Sequence, residues 1–255
     1  MTSYYEIIDA GDYNPYHFLF YMISNFLIAD VTKEIVYYYP RKGKFCEEFL
    51  SLLPSNFKRH LVKDPSIRYT TFMHAIPLFN DTCLPESYAL IRQLFNPYCS
   101  KTIRKGKWIY IRREGHTCER TFCNEADVTA CLKLLGFDTL NLEDYEVKDQ
   151  IRMVSEAEVV VGAHGAGLSF TVFCNKDAKV VEIFGRPLTE KRHFLHIAHV
   201  LGHTISRFQD LTIHDEKKET MRVNVAELER YLKMNILDRG VPRSTPLEPH
   251  HSFHK

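Results

Sequence analysis

The sequence carries almost no excess charge of either sign: 33 Lys and Arg face 32 Asp and Glu, a formal net charge of +1 at pH 7. Wrapping nucleic acid or adhering to an anionic membrane calls for a pronounced basic surplus, so a surface built mainly for either purpose is excluded, although a local patch is not. No apolar run approaches the roughly 20 residues that a membrane-spanning helix needs. The most apolar early segment, Tyr16 to Ala29, is interrupted by His17, Ser24 and Asn25 and follows acids instead of the basic stretch that opens a secretory signal. The expectation is a soluble, cytoplasmic protein. The seven cysteines (46, 83, 99, 118, 123, 131 and 174) are odd in number and form no C-x-x-C pair. Neither a disulfide framework nor a common zinc ribbon is indicated, and the cysteines read as reduced thiols. No Asp-x-Asp pair stands at a strand end and no internal repeat is visible.

What is present is ample material for a core: 45% of the 255 residues are hydrophobic and 13% aromatic, against 25% charged. That composition belongs to a globular chain of one large domain or two small ones. Residues 1 to about 100 are rich in aromatics and prolines and show weak periodicity, a pattern of short elements broken by turns. From Lys107 onward the pattern alternates. Trp108 to Arg113 reads as a strand, Glu125 to Phe137 as an amphipathic helix ending near Gly136, and Val147 to Ala157 as a second helix. Glu158 to Ala163 then reads as a buried strand, followed by a glycine loop and a helix through Phe173. Strand Ala178 to Phe184, helix His193 to Gly202, strand Thr204 to Phe208 and helix Val225 to Leu237 complete the series. Strands separated by helices in this way predict a parallel α/β sheet covered on both faces. Residues 241–255 hold prolines and little apolar content and read as a flexible tail.

The most informative stretch is Val159 to Phe170, VVVGAHGAGLSF. A triple-valine strand runs into three glycines, 162, 165 and 167, within six residues. Glycine lets a backbone turn tightly and approach a ligand closely, and a helix starting at Ala166 would aim N–H groups at the carboxyl end of the sheet, where open α/β folds bind anions. A phosphate or diphosphate is the natural guest; the plainer alternative is that the glycines only allow a tight strand-to-helix turn. His164, inside the loop, is placed to donate a hydrogen bond to a phosphate oxygen or leaving group.

This loop, together with Phe173 and the strand Ala178 to Phe184, resembles the signature of the family 61 glycosyltransferases, the DUF563 group. The supporting landmarks also resemble that family's in order and spacing: Ile111-Arg112-Arg113, Arg120 with Asn124-Glu125, Leu135-Gly136-Phe137, and Gln150 ahead of the Ala157 strand. In the first half, Asn14-Pro15-Tyr16-His17-Phe18 resembles the family's Asn-x-aromatic-His element, with one departure: Tyr21 stands where relatives often have Asp. Asp9 or Asp12 is then the candidate to replace that acid.

The resemblance implies a GT-B-like α/β architecture, two Rossmann-like domains facing across a cleft. Residues 1–100 would form the acceptor-side domain and 101–240 the nucleotide-sugar-binding domain. It also implies inverting, metal-independent transfer of a xylose or N-acetylglucosamine type sugar from a nucleotide diphosphate sugar, a UDP-sugar, to a glycan or glycoprotein hydroxyl. No cofactor is required and no metal ligands are assigned. Without a metal, the diphosphate needs protein cations and N–H dipoles. Arg113 and the amides of Gly165, Ala166, Gly167 and Leu168 are the expected donors, with Arg112 and Asn124 nearby. Because Arg112 and Arg113 alternate along a strand they should face opposite sides, and Arg113 is favoured for the cleft. Glu125, in the first turn of its helix, reads equally as a cap or as functional. Glu182, an acid near the end of a buried strand, reads as a ribose acceptor, with a buried structural pair as the alternative. His17 is the first candidate for the base that takes the acceptor proton, and Arg113 and His164 complete the expected catalytic set. His193, His196, His199 and His203 have helical spacing that a zinc site would use, but the apolar residues between them suit a helix packed on the sheet. The missing signal or anchor hints at a microbial or viral enzyme. A non-catalytic nucleotide or sugar-phosphate binding module on the same fold is the alternative reading.

Overall fold

The computed structural model describes residues 5–8, 16, 18–22, 35–38, 44–54, 61–62, 85–113, 121–184, 192–215 and 220–237. Its centre is a five-stranded, wholly parallel sheet of β4 (Trp108–Ile111), β5 (Asp138–Leu140), β6 (Val159–Ala163), β7 (Lys179–Ile183) and β8 (Thr204–Phe208), in spatial order β5-β4-β6-β7-β8. Earlier in the chain, β1 (Tyr5–Ile8), β2 (Ile35–Tyr38) and β3 (Leu61–Val62) form a separate three-stranded parallel sheet.

The connections explain the layering. A right-twisted strand returns to its sheet by a right-handed crossover, so the direction of travel across the sheet selects the face on which each helix lands. From β4 the chain steps outward to β5 through α3 (Glu125–Leu134), then reverses and returns to β6 through α4 (Val147–Glu156). It continues in that direction through a 3-10 helix (Ala166–Phe173) to β7 and through α5 (His193–Leu201) to β8. Accordingly α3 lies on one face, joined by α6 (Val225–Asn235), where Val128, Leu132, Leu228 and Leu232 pack with Trp108, Tyr110, Val161 and Ile183. On the other face α4, α5 and the 3-10 helix pack with Ile109, Ile111, Val160 and Val180.

Two helices of the first hundred residues join that second face. Phe49 of α1 (Lys44–Leu52) and Phe95 of α2 (Pro85–Phe95) have ring centroids 5.1 Å apart, and they lie 5.9 Å from Phe170 and Phe173 respectively. The strand β6 is buried at every position, as a central parallel strand covered on both sides must be. The α3 helix ends where the sequence predicts, with Gly136 at φ 95° supplying the left-handed residue beyond the cap.

Three features differ from the sequence expectation. The segment Ala166–Phe173 is a 3-10 helix. Gly167, Ser169, Thr171 and Val172 all rank low for the α-helix, and its last six residues are buried, so packing sets the geometry. The short strand β5 and the antiparallel hairpin of β9 (Leu211–Asp215) and β10 (Thr220–Val223) were not anticipated. Among the described residues no helix is long and apolar enough to cross a membrane.

Candidate functional site

The reversal of direction between β4 and β6 makes their carboxyl ends the topological switch point, where α/β sheets of this strand order open a crevice for ligands. The residues that leave those two strands are Arg112 and Arg113 on one side and His164 and Gly165 on the other.

The alternation expected of the two arginines is present. Arg112 shares the α3 face with Tyr110, and its Nε lies 3.9 Å from Oε1 of Glu125, the same oxygen that accepts the Tyr110 hydroxyl at 2.8 Å. Burial raises the Glu125 carboxyl above its ordinary range, while the Tyr110 hydrogen bond and Arg112 pull it back. Tyr110 is pushed well up by burial and then by Glu125. Glu125 is thus engaged with β4. Asn124 bonds the backbone of Val223: Nδ2 donates to the carbonyl at 2.9 Å and Oδ1 accepts the amide at 3.0 Å, which ties the start of α3 to β10.

Arg113, on the opposite face, reaches across the switch point. Its Nη1 donates to the His164 carbonyl at 3.0 Å. A Cβ placed on Gly165 would stand 2.5 Å from that Nη1, and one on Gly167 would stand 2.9 Å from Cγ2 of Ile111. The glycines therefore let the loop lie flat against the end of β4, so the sequence's plainer reading, a tight turn, accounts for much of their pattern. The Leu168 amide donates to the Gly165 carbonyl at 3.0 Å, and its side chain is fully buried against the Gly162 position.

His164 is 6% exposed and its amide donates to the Ile183 carbonyl at 2.9 Å. Its Nδ1 is hydrogen-bonded to Oε1 of Glu182, whose Oε2 accepts from Nε of Arg207 at 2.6 Å. The sheet register aligns these groups: Gly162, Glu182 and Arg207 sit opposite one another on β6, β7 and β8. Glu182 is fully buried with both oxygens engaged. This is the buried pair that the sequence reading kept as its alternative, and a ribose hydroxyl would have to displace one of the two partners. Arg207 itself lies over Phe184, with Cζ 4.5 Å from the ring centroid.

Around the His164 ring stand Phe184 at 4.8 Å, Phe194 at 5.3 Å and, stacked at 6.2 Å, His193. His193 Nδ1 in turn is 3.2 Å from the hydroxyl of Tyr16. The aromatic residue of the N-terminal motif is therefore part of the glycine-loop cluster. His17, Asp9, Asp12 and Arg120 lie outside the described residues, as does the side chain of Tyr21. The other histidines in and just beyond α5 diverge: His196 packs edge-on to Tyr88, His199 is exposed, and His203, past the end of the helix, has Nε2 3.1 Å from the Cys174 carbonyl. Among the described residues no three His, Cys, Asp or Glu side chains gather to hold a metal ion.

Arg207 was missed in the sequence. Its signal was the buried acid on β7, which calls for a cation at the matching register of a neighbouring strand.

The glycosyltransferase 61 family profile matches residues 16–181, from Tyr16 through β6 and the glycine loop into β7. The chain belongs to the glycosyltransferase 61 family. Among relatives within that group, the beta-1,2-xylosyltransferase RCN11 of Oryza sativa subsp. japonica is 45% identical over 53 residues, 21% of this chain and 10% of the rice protein. The protein O-linked-mannose beta-1,4-N-acetylglucosaminyltransferase 2 of Homo sapiens is 37% identical over 78 residues, 29% of this chain and 13% of the human protein. Its Xenopus tropicalis counterpart is 35% identical over 78 residues. The matched stretches are thus small parts of much longer proteins.

Proposed function

We propose that this chain is a glycosyltransferase that takes a sugar from a nucleotide diphosphate sugar, a UDP-sugar, and transfers it with inversion and without a required metal to a hydroxyl of a glycan or glycoprotein. The observation that carries the reading is the meeting of Arg113 with the His164 carbonyl at the switch point of a family 61 chain. A cation stands there against the glycine loop that carries His164, where an α/β sheet receives a phosphate-bearing ligand. Names of the relatives favour a xylose or N-acetylglucosamine type sugar.

In a single displacement the acceptor oxygen attacks the anomeric carbon, the bond to the diphosphate breaks, and a base takes the acceptor proton. Arg113 and the backbone of Gly165 to Gly167 would steady the leaving diphosphate, and His164 would face its charge. His17 is the proposed base. It follows Tyr16 in the sequence, and Tyr16 reaches the His164 cluster through His193. The GT-B arrangement is part of the same proposal, and the separate parallel sheet β1-β2-β3 supports a second α/β unit.

A thermal-shift panel of UDP-, GDP- and dTDP-sugars, followed by assay of released nucleotide, tests the reading. A ligand that binds only the folded state raises its stability with concentration. A saturable shift with a UDP-sugar and release of UDP are expected, and no shift with any of the three classes overturns the proposal. Tyr21, in place of the family's usual Asp, favours one second reading: a binding module without turnover. UDP binding with no donor consumed by the whole chain would select it.

A further inference from the structure

We infer that Arg207 is a positioning residue of this site, holding Glu182 so that His164 keeps its Nδ1 proton and uses Nε2 as the ring nitrogen that changes protonation. The inference rests on the reading of the glycine loop as the donor site. Its basis is the in-register row across three strands, in which a 6% exposed imidazole is bonded to a fully buried carboxylate whose other oxygen is held by a guanidinium at 2.6 Å.

A carboxylate is acceptor-only, so its bond to Nδ1 selects the tautomer protonated there and leaves Nε2 bare in the neutral ring. The charged groups around the ring then oppose one another. Glu182 on β7 favours the imidazolium, whereas Arg207 on β8 and Arg113 beyond β4 disfavour it. His193 on α5, stacked at 6.2 Å, is a further titratable neighbour among the described residues, with the Tyr16 hydroxyl behind it. Arg207 is the only one of these groups that touches Glu182 from the side opposite His164. It fixes the carboxylate and moderates its pull on the ring.

An Arg207 that served stability alone would leave the neutral-ring tautomer and the catalytic pH profile in place when replaced. A positioning Arg207 makes two opposite shifts. NMR titration of the full chain, with the His164 signals assigned by comparison with His164→Gln, separates the cases. In the wild type the neutral ring should be the Nδ1–H tautomer. Arg207→Met removes the moderating charge and should raise the His164 midpoint by about one pH unit, and Glu182→Gln should lower it by about the same amount. Arg207→Lys should keep it near the wild-type value. In a transfer assay the limb of the pH profile that follows His164 should move up in Arg207→Met, with kcat changing more than KM.

An Nε2–H tautomer in the wild type, or shifts of one sign or of zero in folded Arg207 and Glu182 variants, overturns the inference. If Arg207→Met does not fold, the wild-type tautomer and Glu182→Gln decide. Opposite shifts in a protein that neither binds nor turns over nucleotide sugars would leave the Arg207 assignment standing and remove the donor-site reading.

Discussion

Arg113 Nη1 lies 3.0 Å from the His164 carbonyl and occupies the space that a Cβ at Gly165 would need. One substitution in the loop can therefore displace the guanidinium while leaving Arg113 itself unchanged. Gly165→Ala should push the end of the Arg113 side chain off the carbonyl while changing stability by no more than about 1 kcal/mol, because that end is flexible. Donor affinity in Gly165→Ala and Arg113→Met should fall by about tenfold to a hundredfold, the worth of a hydrogen bond to a charged group. Titration with a UDP-sugar checks this, and wild-type affinity in both variants removes Arg113 from the donor site.

Gly167 presents the contrasting case. Its missing Cβ would stand 2.9 Å from Cγ2 of the buried Ile111, in the core itself. Gly167→Ala should lower stability by about 1–3 kcal/mol through overpacking, read by chemical denaturation. An unchanged midpoint would mean that the 3-10 helix shifts freely.

His203 should make the fold acid-sensitive. Burial, reinforced by Arg92, lowers its value from 6.5 to about 4 despite the bond to the Cys174 carbonyl. The unfolded chain takes up a proton below about pH 6.5 that the folded chain resists until about pH 4. Its contribution is therefore present above the unfolded value and is lost as pH falls through that window. The loss is about 3 kcal/mol at most. The stability difference between wild type and His203→Gln, read from denaturation curves, should be full at neutral pH and shrink near pH 4.5, and a pH-independent difference would refute the assignment.

Asn124 links α3 to β10 through two hydrogen bonds to Val223, all within the interior. Asn124→Ala should cost about 2 kcal/mol, because it leaves a buried N–H and C=O without their partner. Hydrogen exchange at the Val223 amide should speed up more than exchange in β6. Asn124→Asp, which retains the acceptor, should fall between the two.

Much of this architecture was legible because burial leaves a clear mark on composition. Val159 to Val161 pack on both faces and read as an uninterrupted apolar run. Val147, Gln150, Ile151 and Val154 repeat at helical spacing along the buried side of α4. The strand β5 is only three residues long at the sheet edge, with one buried, so its pattern is too short to register. The contact of Arg113 with the glycine loop was legible in part, because both stand at strand ends in the sequence. Glu182 was legible as a costly buried acid, but its partner depended on the register of β7 against β8, which no local pattern fixes. The bond of Asn124 to the backbone of Val223, 99 residues away, depends on tertiary contact that no local pattern carries.

The aromatic seam that joins Phe49 and Phe95 to Phe170 and Phe173 bears on how the molecule can be dissected. A fragment begun at residue 101, however natural that cut looks on the page, would shed α1 and α2 and leave Phe170 and Phe173 bare to solvent. Expression of such a fragment should yield insoluble material. Rescue should come from co-expressing the missing hundred residues as a separate chain.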